Sequence, residues 1–383
     1  MIKIKSDKII LGERLFDGTM YVTNGKIVEI SKEDKPAELC YDFTGKYVCA
    51  GFIDMHTHGA GGHAFMNSTV EDVIAGCNFH FEHGTTTILP TVSAGAFETM
   101  KNAVIHIDAA KKSGRVKPNI LGAHLEGPYL SAKQCGAQCP TFITPPIKED
   151  YQSLIEEYGE SICRWTYAPE NDANGEFCRY LTENGILASA GHTDATYADM
   201  QTAMKNGCNL ITHLYSCTST VTRDHGFRSL GVIESAYLCD GLNVEIIADG
   251  KHLPPELIQM IIKIKGTDKV ALVTDSLEIA GTDVTEGVMS GTEFIVEDGV
   301  CKLKDRSAFA GSVATADCLV KTLVKGCGYS IPTAVKMLTE TPAKILKIDN
   351  EKGALAVGLD ADFIVFDEEI NVLNVFIKGN KEK

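Results

Sequence analysis

Short apolar segments alternate with segments of helical periodicity between residues 51 and 274, and this alternation leaves few folds open to the chain. The apolar segments have the length of single strands and span residues 51–55, 85–90, 119–125, 162–168, 186–190, 209–212, 243–248 and 269–274. Helical segments lie between or after them at 70–82, 94–112, 151–158, 194–205, 255–264 and 315–326. Eight strand–helix units in succession predict an α/β fold, the (β/α)8 TIM barrel. A doubly wound open sheet is the alternative, but the Gly-rich phosphate loop that normally follows its first strand is absent.

Both ends of the chain have a different character, with short strands and tight turns. Asn24-Gly25 joins two alternating apolar segments, which is a strong hairpin signal. Segments 361–367 and 371–378 near the C-terminus also have strand composition. We therefore expect residues 1–48 and 346–383 to pair into one small β-sandwich domain, and residues 49–345 to form the barrel.

Composition excludes several classes of partner. A formal net charge of −15 over 383 residues argues against nucleic acid or an anionic membrane surface as the main partner. No apolar run approaches the length that spans a bilayer, so we expect no membrane partner. The 13 cysteines are an odd number scattered along the chain, which favours free thiols and a reducing cytoplasm over a disulfide framework.

The first predicted barrel strand ends in His56 and His58. Residues two apart on a strand point to the same side, so both imidazoles would face one point at the strand's carboxyl end. Gly59 follows and ends the strand. Two neutral imidazoles that converge suit a divalent transition metal. Taken alone, the pair could equally be two ordinary histidines near a turn.

Residues that bind metals or transfer protons follow six of the eight predicted strands, where a barrel builds its active site. Glu126, His192 and His213 form a mixed carboxylate and imidazole set, the type that leaves a coordination position open for water. His56 and His58 could hold a second ion, with Glu126 bridging. A metal held there would activate water for hydrolysis.

Two further residues suit the chemistry of such a site. Asp275 could act as general base and then as the acid that protonates a leaving amine. His252 could donate a hydrogen bond to a substrate carbonyl. The structural alternatives are a turn or helix cap for Asp275 and a hydrogen-bonded loop histidine for His252.

Several motifs together resemble one family. The chain is similar to the amidohydrolase superfamily and, within it, to the N-acetylglucosamine-6-phosphate deacetylases. The matching motifs are Gly-Phe-Ile-Asp-Met-His-Thr-His-Gly at 51–59, Leu-Glu-Gly-Pro-Tyr at 125–129, Gly-His-Thr-Asp-Ala-Thr at 191–196, Thr-His-Leu-Tyr at 212–215, Ile-Ala-Asp-Gly-Lys-His at 247–252, Val-Thr-Asp at 273–275 and Ala-Gly-Ser at 310–312. They occur in the family's order from about residue 8 to the end of the chain.

The resemblance implies a metal-dependent hydrolase that removes the acetyl group of N-acetylglucosamine 6-phosphate, giving glucosamine 6-phosphate and acetate, usually as a homodimer. It implies metal ligation by Glu126, His192 and His213, and by His56 and His58 in members with two ions. It also implies that Asp275 is the acid/base and that His252 binds substrate. The cofactor would be one or two divalent ions per subunit, and zinc, iron, manganese and cobalt all suit this ligand set.

Three departures from the family pattern concern the substrate. Ser216 and Cys217 stand where the family has an Asn-Ala pair that contacts the sugar phosphate, and Gln138 replaces a histidine. Arg228, with Arg223 as second candidate, best matches the arginine that reaches the phosphate across the dimer. We expect these positions to bind substrate.

The departures leave open a related N-acyl amino sugar, another epimer or an unphosphorylated sugar, as the alternative substrate. A barrel that only binds a ligand is disfavoured, because every expected ligand and the acid/base are present.

Overall fold

The computed structural model describes residues 1–289 and 292–383. Eight parallel strands surround the centre of the larger part, and each strand after the first pairs with the one before it in the chain. They are Phe52–Thr57, Thr85–Val92, Ala123–Glu126, Ile162–Tyr167, Leu187–Ala190, Leu210–Ile211, Asn243–Ile247 and Val270–Val273. Each strand lies inside a predicted segment or extends at most two residues beyond the carboxyl end of that segment. The sequential order is that of the predicted (β/α)8 barrel and differs from a doubly wound sheet.

Helices cover the outside of the barrel. The α-helices are Val70–Glu82, Phe97–Lys112, Lys148–Tyr158, Glu176–Glu183, Tyr197–Lys205, Val232–Leu238, Pro255–Lys265, Ala316–Lys321, Ile331–Lys336 and Glu340–Ile345. All six predicted helical segments contain a helix. The four that were not predicted have eight residues or fewer, which is too short for a clear 3.6-residue periodicity. Within the described part of the chain, none of the helices has the length and apolar character needed to cross a lipid bilayer.

The first and last barrel strands are held together differently at their two ends. At the amino end, the backbone of Met337 and Leu338 lies between them, accepting hydrogen bonds from Leu272 N at 2.9 Å and Ile53 N at 2.9 Å. At the carboxyl end the two strands bond directly, through Asp275 N to His56 O at 2.9 Å. The ring therefore closes tightly at the end where the candidate functional residues lie.

The terminal segments form a separate, mostly antiparallel sheet. Its strands are Ile2–Leu11, Arg14–Thr23, Lys26–Ser31, Leu39–Asp42, Tyr47–Ala50, Phe363–Phe366, Val372–Ile377 and Asn380–Lys381. The first strand pairs with Leu39–Asp42 by one half and with Tyr47–Ala50 by the other, so the sheet forks there. The predicted fold class, a barrel with a small β domain built from both terminal segments, is confirmed, and hydrogen bonds join all eight strands of that domain into one forked sheet. The exact domain boundaries at 48/49 and 345/346 stay a prediction.

Two insertions follow barrel strands at their carboxyl ends. A hairpin of Thr222–Asp224 and Phe227–Ser229 follows the sixth strand. A small antiparallel sheet of Glu286–Met289, Thr292–Glu297, Val300–Leu303 and Phe309–Gly311 follows the eighth. Neither was predicted from the sequence, and both lie at the end of the barrel that carries the candidate site.

A buried side-chain bond also contributes to closure, and it can be tested. Thr274 donates its hydroxyl hydrogen to Asp54 Oδ2 at 2.6 Å between the last and first strands. We expect Thr274→Val to lower the free energy of unfolding by ~1–3 kcal/mol, because the buried carboxylate loses a donor. Urea unfolding followed by circular dichroism measures the change.

Thr87→Val is the matched control for this substitution. The Thr87 hydroxyl is also buried in a barrel strand, but among the described residues it has no hydrogen-bond partner. Its removal should leave stability unchanged or raise it. Equal losses for the two variants would show that the Asp54 contact contributes nothing to closure.

Candidate metal and active site

The five predicted ligands converge at the carboxyl end of the barrel although 157 positions separate the first from the last in sequence, His56 to His213. One ligand atom each from His56, His58 and Glu126 lie within 4.8 Å of one another, and the same holds for Glu126, His192 and His213. All five side chains are buried. Glu126 belongs to both groups and is the only carboxylate in either.

The group of Glu126, His192 and His213 is compact. Glu126 Oε1 lies 3.0 Å from His213 Nε2 and 3.3 Å from His192 Nε2. The two imidazole nitrogens lie 3.2 Å apart. The three atoms thus form a nearly equilateral triangle.

The second group has the same spacing. His56 Nε2 and His58 Nε2 lie 3.3 Å apart, and Glu126 approaches them through Oε1 at 3.4 Å and Oε2 at 3.2 Å. Asp275 is a fourth residue close to this group, with Oδ1 3.4 Å from His56 Nε2 and 3.2 Å from His58 Nε2. The carboxylate of Glu126 thus faces both groups, in the position of a bridge.

These distances suit a metal ion. Two donors bound to one tetrahedral ion at about 2.0 Å lie about 3.3 Å apart. Imidazole nitrogens that face each other at 3.2–3.3 Å direct lone pairs at each other unless a cation or a proton lies between them. The donor set, four imidazoles and carboxylate oxygen, is that of zinc, iron, manganese and cobalt sites. The residues present therefore fit a divalent cation.

The charges of the neighbouring groups also favour a cation at this site. Burial alone would lower the pKa of His56, but the carboxylates of Glu126, Asp275 and Glu245 outweigh it and raise this pKa to about 10. Burial alone would also lower the pKa of His58, but the hydrogen bonds that it donates to Asp275 and Glu126 outweigh burial and raise this pKa to about 9. The carboxylates thus stabilise positive charge in this space.

Second contacts orient the rings. Ser93 Oγ lies 3.0 Å from His58 Nδ1, and His192 Nδ1 lies 2.9 Å from the carbonyl of Gln134. A hydrogen bond at Nδ1 leaves Nε2 as the ligand atom, which is how proteins usually orient metal-binding histidines. Ser93 and Gln134 were not singled out from the sequence, because neither belongs to a ligand motif.

Three of the candidate ligand and acid/base residues have left-handed backbone conformations. The φ angle is +45° at His192, +26° at His213 and +46° at Asp275. Such conformations cost a non-glycine residue of order 1 kcal/mol and concentrate at functional sites. Each lies at the turn that leaves its barrel strand, where the chain must change direction.

A cavity of about 470 Å³ opens above the two groups. Asp275 and His252 line it, as do Ser216, Cys217 and Gln138. Val288 and Phe309, from the small sheet after the eighth strand, also line it, and both remain partly exposed. The cavity is large enough for a sugar-sized ligand.

The residues predicted to bind substrate lie in different places. Gln138 donates its amide hydrogen to Glu126 Oε2 at 2.7 Å and accepts from Ala94 N at 2.9 Å. In this structure it therefore holds the shared carboxylate as well as lining the cavity. Arg228 does not line the cavity. It lies on the exposed hairpin, where it pairs with Arg223 across the two strands.

His252 is held from behind by Asp249. Its Nδ1 donates to Asp249 Oδ2 at 2.8 Å, and Asp249 Oδ1 also accepts from the backbone N of His252. The ring of Phe309 lies 4.9 Å away, centroid to centroid. The imidazole is therefore fixed at the edge of the cavity with Nε2 as its remaining polar atom.

Comparison with known proteins agrees with this geometry. The amidohydrolase family model matches residues 47–381. The chain therefore belongs to the amidohydrolase family. The barrel, the histidines at its strand ends and the shared carboxylate are those of a hydrolase that acts on carbon–nitrogen bonds.

Similar proteins show to which branch of the amidohydrolase family the chain belongs. N-acetylglucosamine-6-phosphate deacetylase of Bacillus subtilis (strain 168) is 30% identical, covering 96% of this chain and 93% of the relative. The deacetylase of that name from Pasteurella multocida has a TM-score of 0.92 at 29% identity, with 100% of this chain and 99% of the other covered. A Mycobacterium smegmatis deacetylase variant in complex with N-acetyl-D-glucosamine-6-phosphate has a TM-score of 0.91 at 26% identity, covering 99% and 98%. Within the amidohydrolases, the chain belongs to the N-acetylglucosamine-6-phosphate deacetylase family.

The shared position of Glu126 can be tested by metal content. We expect Glu126→Gln to weaken binding in both groups at once, because an amide oxygen carries no negative charge and each group loses its only carboxylate. The measurement is the number of cobalt ions per subunit after equilibrium dialysis.

Glu278→Gln is the matched control, since Glu278 lines the same cavity but belongs to neither group. It should keep the wild-type ion content. Full retention of ions by Glu126→Gln would remove Glu126 from the set of ligands.

Proposed function

We propose that the chain hydrolyses the acetamide of N-acetylglucosamine 6-phosphate, giving glucosamine 6-phosphate and acetate. The observation that carries the proposal is Glu126, shared between two groups of buried imidazoles and placed beside Asp275 beneath a sugar-sized cavity. The names of the relatives support this substrate over the alternative of a related N-acyl amino sugar.

We further propose one or two divalent ions per subunit, bound by Glu126, His192 and His213 and by His56 and His58. Zinc, iron, manganese and cobalt all suit these ligands, and availability selects among them. When bound, such an ion polarises a carbonyl and lowers the pKa of water towards neutrality.

Asp275 is suited to move the proton. Burial raises its pKa, but the neighbouring His56 and His58 outweigh this and lower the pKa of Asp275 to about 2, so it is ionised at neutral pH. The carboxylate accepts a proton from water as the water oxygen attacks the acetamide carbon. It then donates this proton to the amine nitrogen as the carbon–nitrogen bond breaks, and acetate and the free amine are released.

His252 is suited to bind the developing negative charge on the carbonyl oxygen. With Nδ1 held by Asp249 at 2.8 Å, Nε2 is the ring atom placed to contact the carbonyl oxygen in the cavity. Ser216, Cys217 and Gln138 line the same cavity and are proposed to contact the sugar. Gln138 would do so while it holds Glu126.

We also propose a cytoplasmic homodimer. Arg228 lies on an exposed hairpin and does not line the cavity of its own subunit. In a dimer it could instead bind the phosphate of a substrate held in the cavity of the partner subunit. Arg223, beside it on the hairpin, is the second candidate. The thirteen cysteines are all free, which supports a reducing compartment.

The role of Asp275 predicts a specific loss. Asp275→Asn should keep bound ions, because all five proposed ligands remain, but lower kcat by about 10²–10⁴-fold, because an amide cannot accept the proton. Acetate release and metal content, measured on the same preparation, separate the two effects.

Asp268→Asn is the control for this substitution. Asp268 precedes the same barrel strand at its other end, and among the described residues it pairs only with Lys336 at 3.1 Å and Lys344 at 3.3 Å, away from the cavity. Its turnover should equal that of the wild type. If Asp275→Asn retained most of its activity, Asp275 would not be the acid/base.

Substrate identity is tested with a small panel. We expect kcat/KM to be highest for N-acetylglucosamine 6-phosphate and at least about 100-fold lower without the phosphate, since charged hydrogen bonds contribute ~1.5–3 kcal/mol each. The panel includes unphosphorylated N-acetylglucosamine and the 6-phosphates of its epimers, with acetate release as the readout. Preferred turnover of an unphosphorylated sugar or of another epimer would contradict the proposed substrate.

A further inference from the structure

A buried ion pair lies directly beneath the candidate ligands and is not used by the proposed reaction. Arg164 on the fourth barrel strand and Glu245 on the seventh are both fully buried, and Arg164 Nη1 lies 2.5 Å from Glu245 Oε2. Two charged residues inside apolar strand segments are the signal in the sequence that could have indicated this pair. A charge in that position is costly unless it is paired.

Glu245 contacts both groups of candidate ligands. Its Oε1 lies 2.7 Å from His56 Nδ1 and accepts a hydrogen bond from the backbone N of His213 at 3.1 Å. Among the carboxylates of the site, Glu126 and Asp275 approach His56 at Nε2, on the other side of the ring. Glu245 thus holds His56 from behind.

Arg164 fixes the position of this carboxylate. Besides Glu245, the guanidinium donates to Ser189 Oγ at 2.9 Å, Thr212 Oγ1 at 2.8 Å and the carbonyl of Met55 at 3.2 Å. Together with Glu245, these partners belong to or directly follow four different barrel strands. Glu245 therefore cannot turn away from His56 without breaking a network that connects the strands.

The contact determines which nitrogen of His56 can bind an ion. An ionised carboxylate only accepts hydrogen bonds, so His56 Nδ1 carries the hydrogen and Nε2 keeps its lone pair. Nε2 is the atom that faces His58 Nε2 at 3.3 Å and Asp275 Oδ1 at 3.4 Å. The opposite tautomer would place a hydrogen in that space.

We propose that Glu245, held by Arg164, is a positioning residue that commits His56 to ligation through Nε2 and so creates the second ion position. This rests on the proposed metal-dependent function and extends it to a residue that touches neither substrate nor ion. A purely structural ion pair would stabilise the barrel without changing the number of ions bound.

Glu245→Gln tests the proposal with little change in shape. Arg164 only donates hydrogen bonds, so it takes the amide oxygen and turns the amide nitrogen towards His56 Nδ1, and the backbone N of His213 loses its acceptor. His56 must then accept at Nδ1 and carry its hydrogen on Nε2. We expect the second ion to bind about 10–100-fold more weakly than in the wild type, as for other residues that orient metal ligands. Cobalt binding to metal-free protein is measured by equilibrium dialysis and by the cobalt absorption spectrum.

Two further variants control for folding. Asp317→Asn removes a carboxylate that accepts from His83 Nδ1 at 3.1 Å, a similar pair outside the site, and should keep both ions. Replacing Arg164 and Glu245 together by leucine removes the pair without leaving a buried charge unpaired. If Glu245→Gln does not fold, this double variant carries the test, and it should also lose the second ion.

Each result decides between the proposals. A wild-type chain that binds two ions, with folded Glu245→Gln and double variants that bind two with unchanged affinity, overturns the positioning role and leaves the proposed function intact. A wild-type chain that binds only one ion also overturns it, because no second position exists. A wild-type chain that takes up no ion overturns the metal-dependent function as well.

Discussion

The carboxylate of Glu126, buried among four imidazoles, is the interaction on which the rest of the site depends. Nitrogen atoms of His56, His58, His192 and His213 approach it to between 3.0 and 3.4 Å at the buried base of the cavity. Such a cluster is costly to bury unless positive charge lies within it. The fold therefore maintains an arrangement that is stable only with protons or a metal ion, and it can use the ion for chemistry.

The barrel supplies what this cluster needs. The ligands come from the ends of four different strands, and each strand is fixed by its neighbours in a closed ring. Hydrogen bonds between the first and last strands lie at the same end as the ligands, through His56 O and Asp275 N at 2.9 Å. Rigid strands thus set the ligand distances, while the loops and the small inserted sheet shape the cavity above them.

Much of this could be predicted from the sequence, because the signals are local. Eight apolar segments have strand length, and the histidines follow them directly, so both the barrel and the convergence of His192 and His213 could be predicted. The side-chain partners could not, since they depend on contacts across the ring. Gln138 turns its amide to Glu126, and Arg164 reaches Glu245 from three strands away. The forked terminal sheet likewise depends on one strand with two neighbours, which alternation of residues does not encode.

The central claim is that these side chains share an ion, and anomalous diffraction from a crystal grown with zinc tests it most directly. A peak is expected about 2.0–2.2 Å from His192 Nε2, from His213 Nε2 and from an oxygen of Glu126. A second peak is expected between His56 and His58. Zinc bound elsewhere, with nothing between Glu126, His192 and His213, would contradict the account.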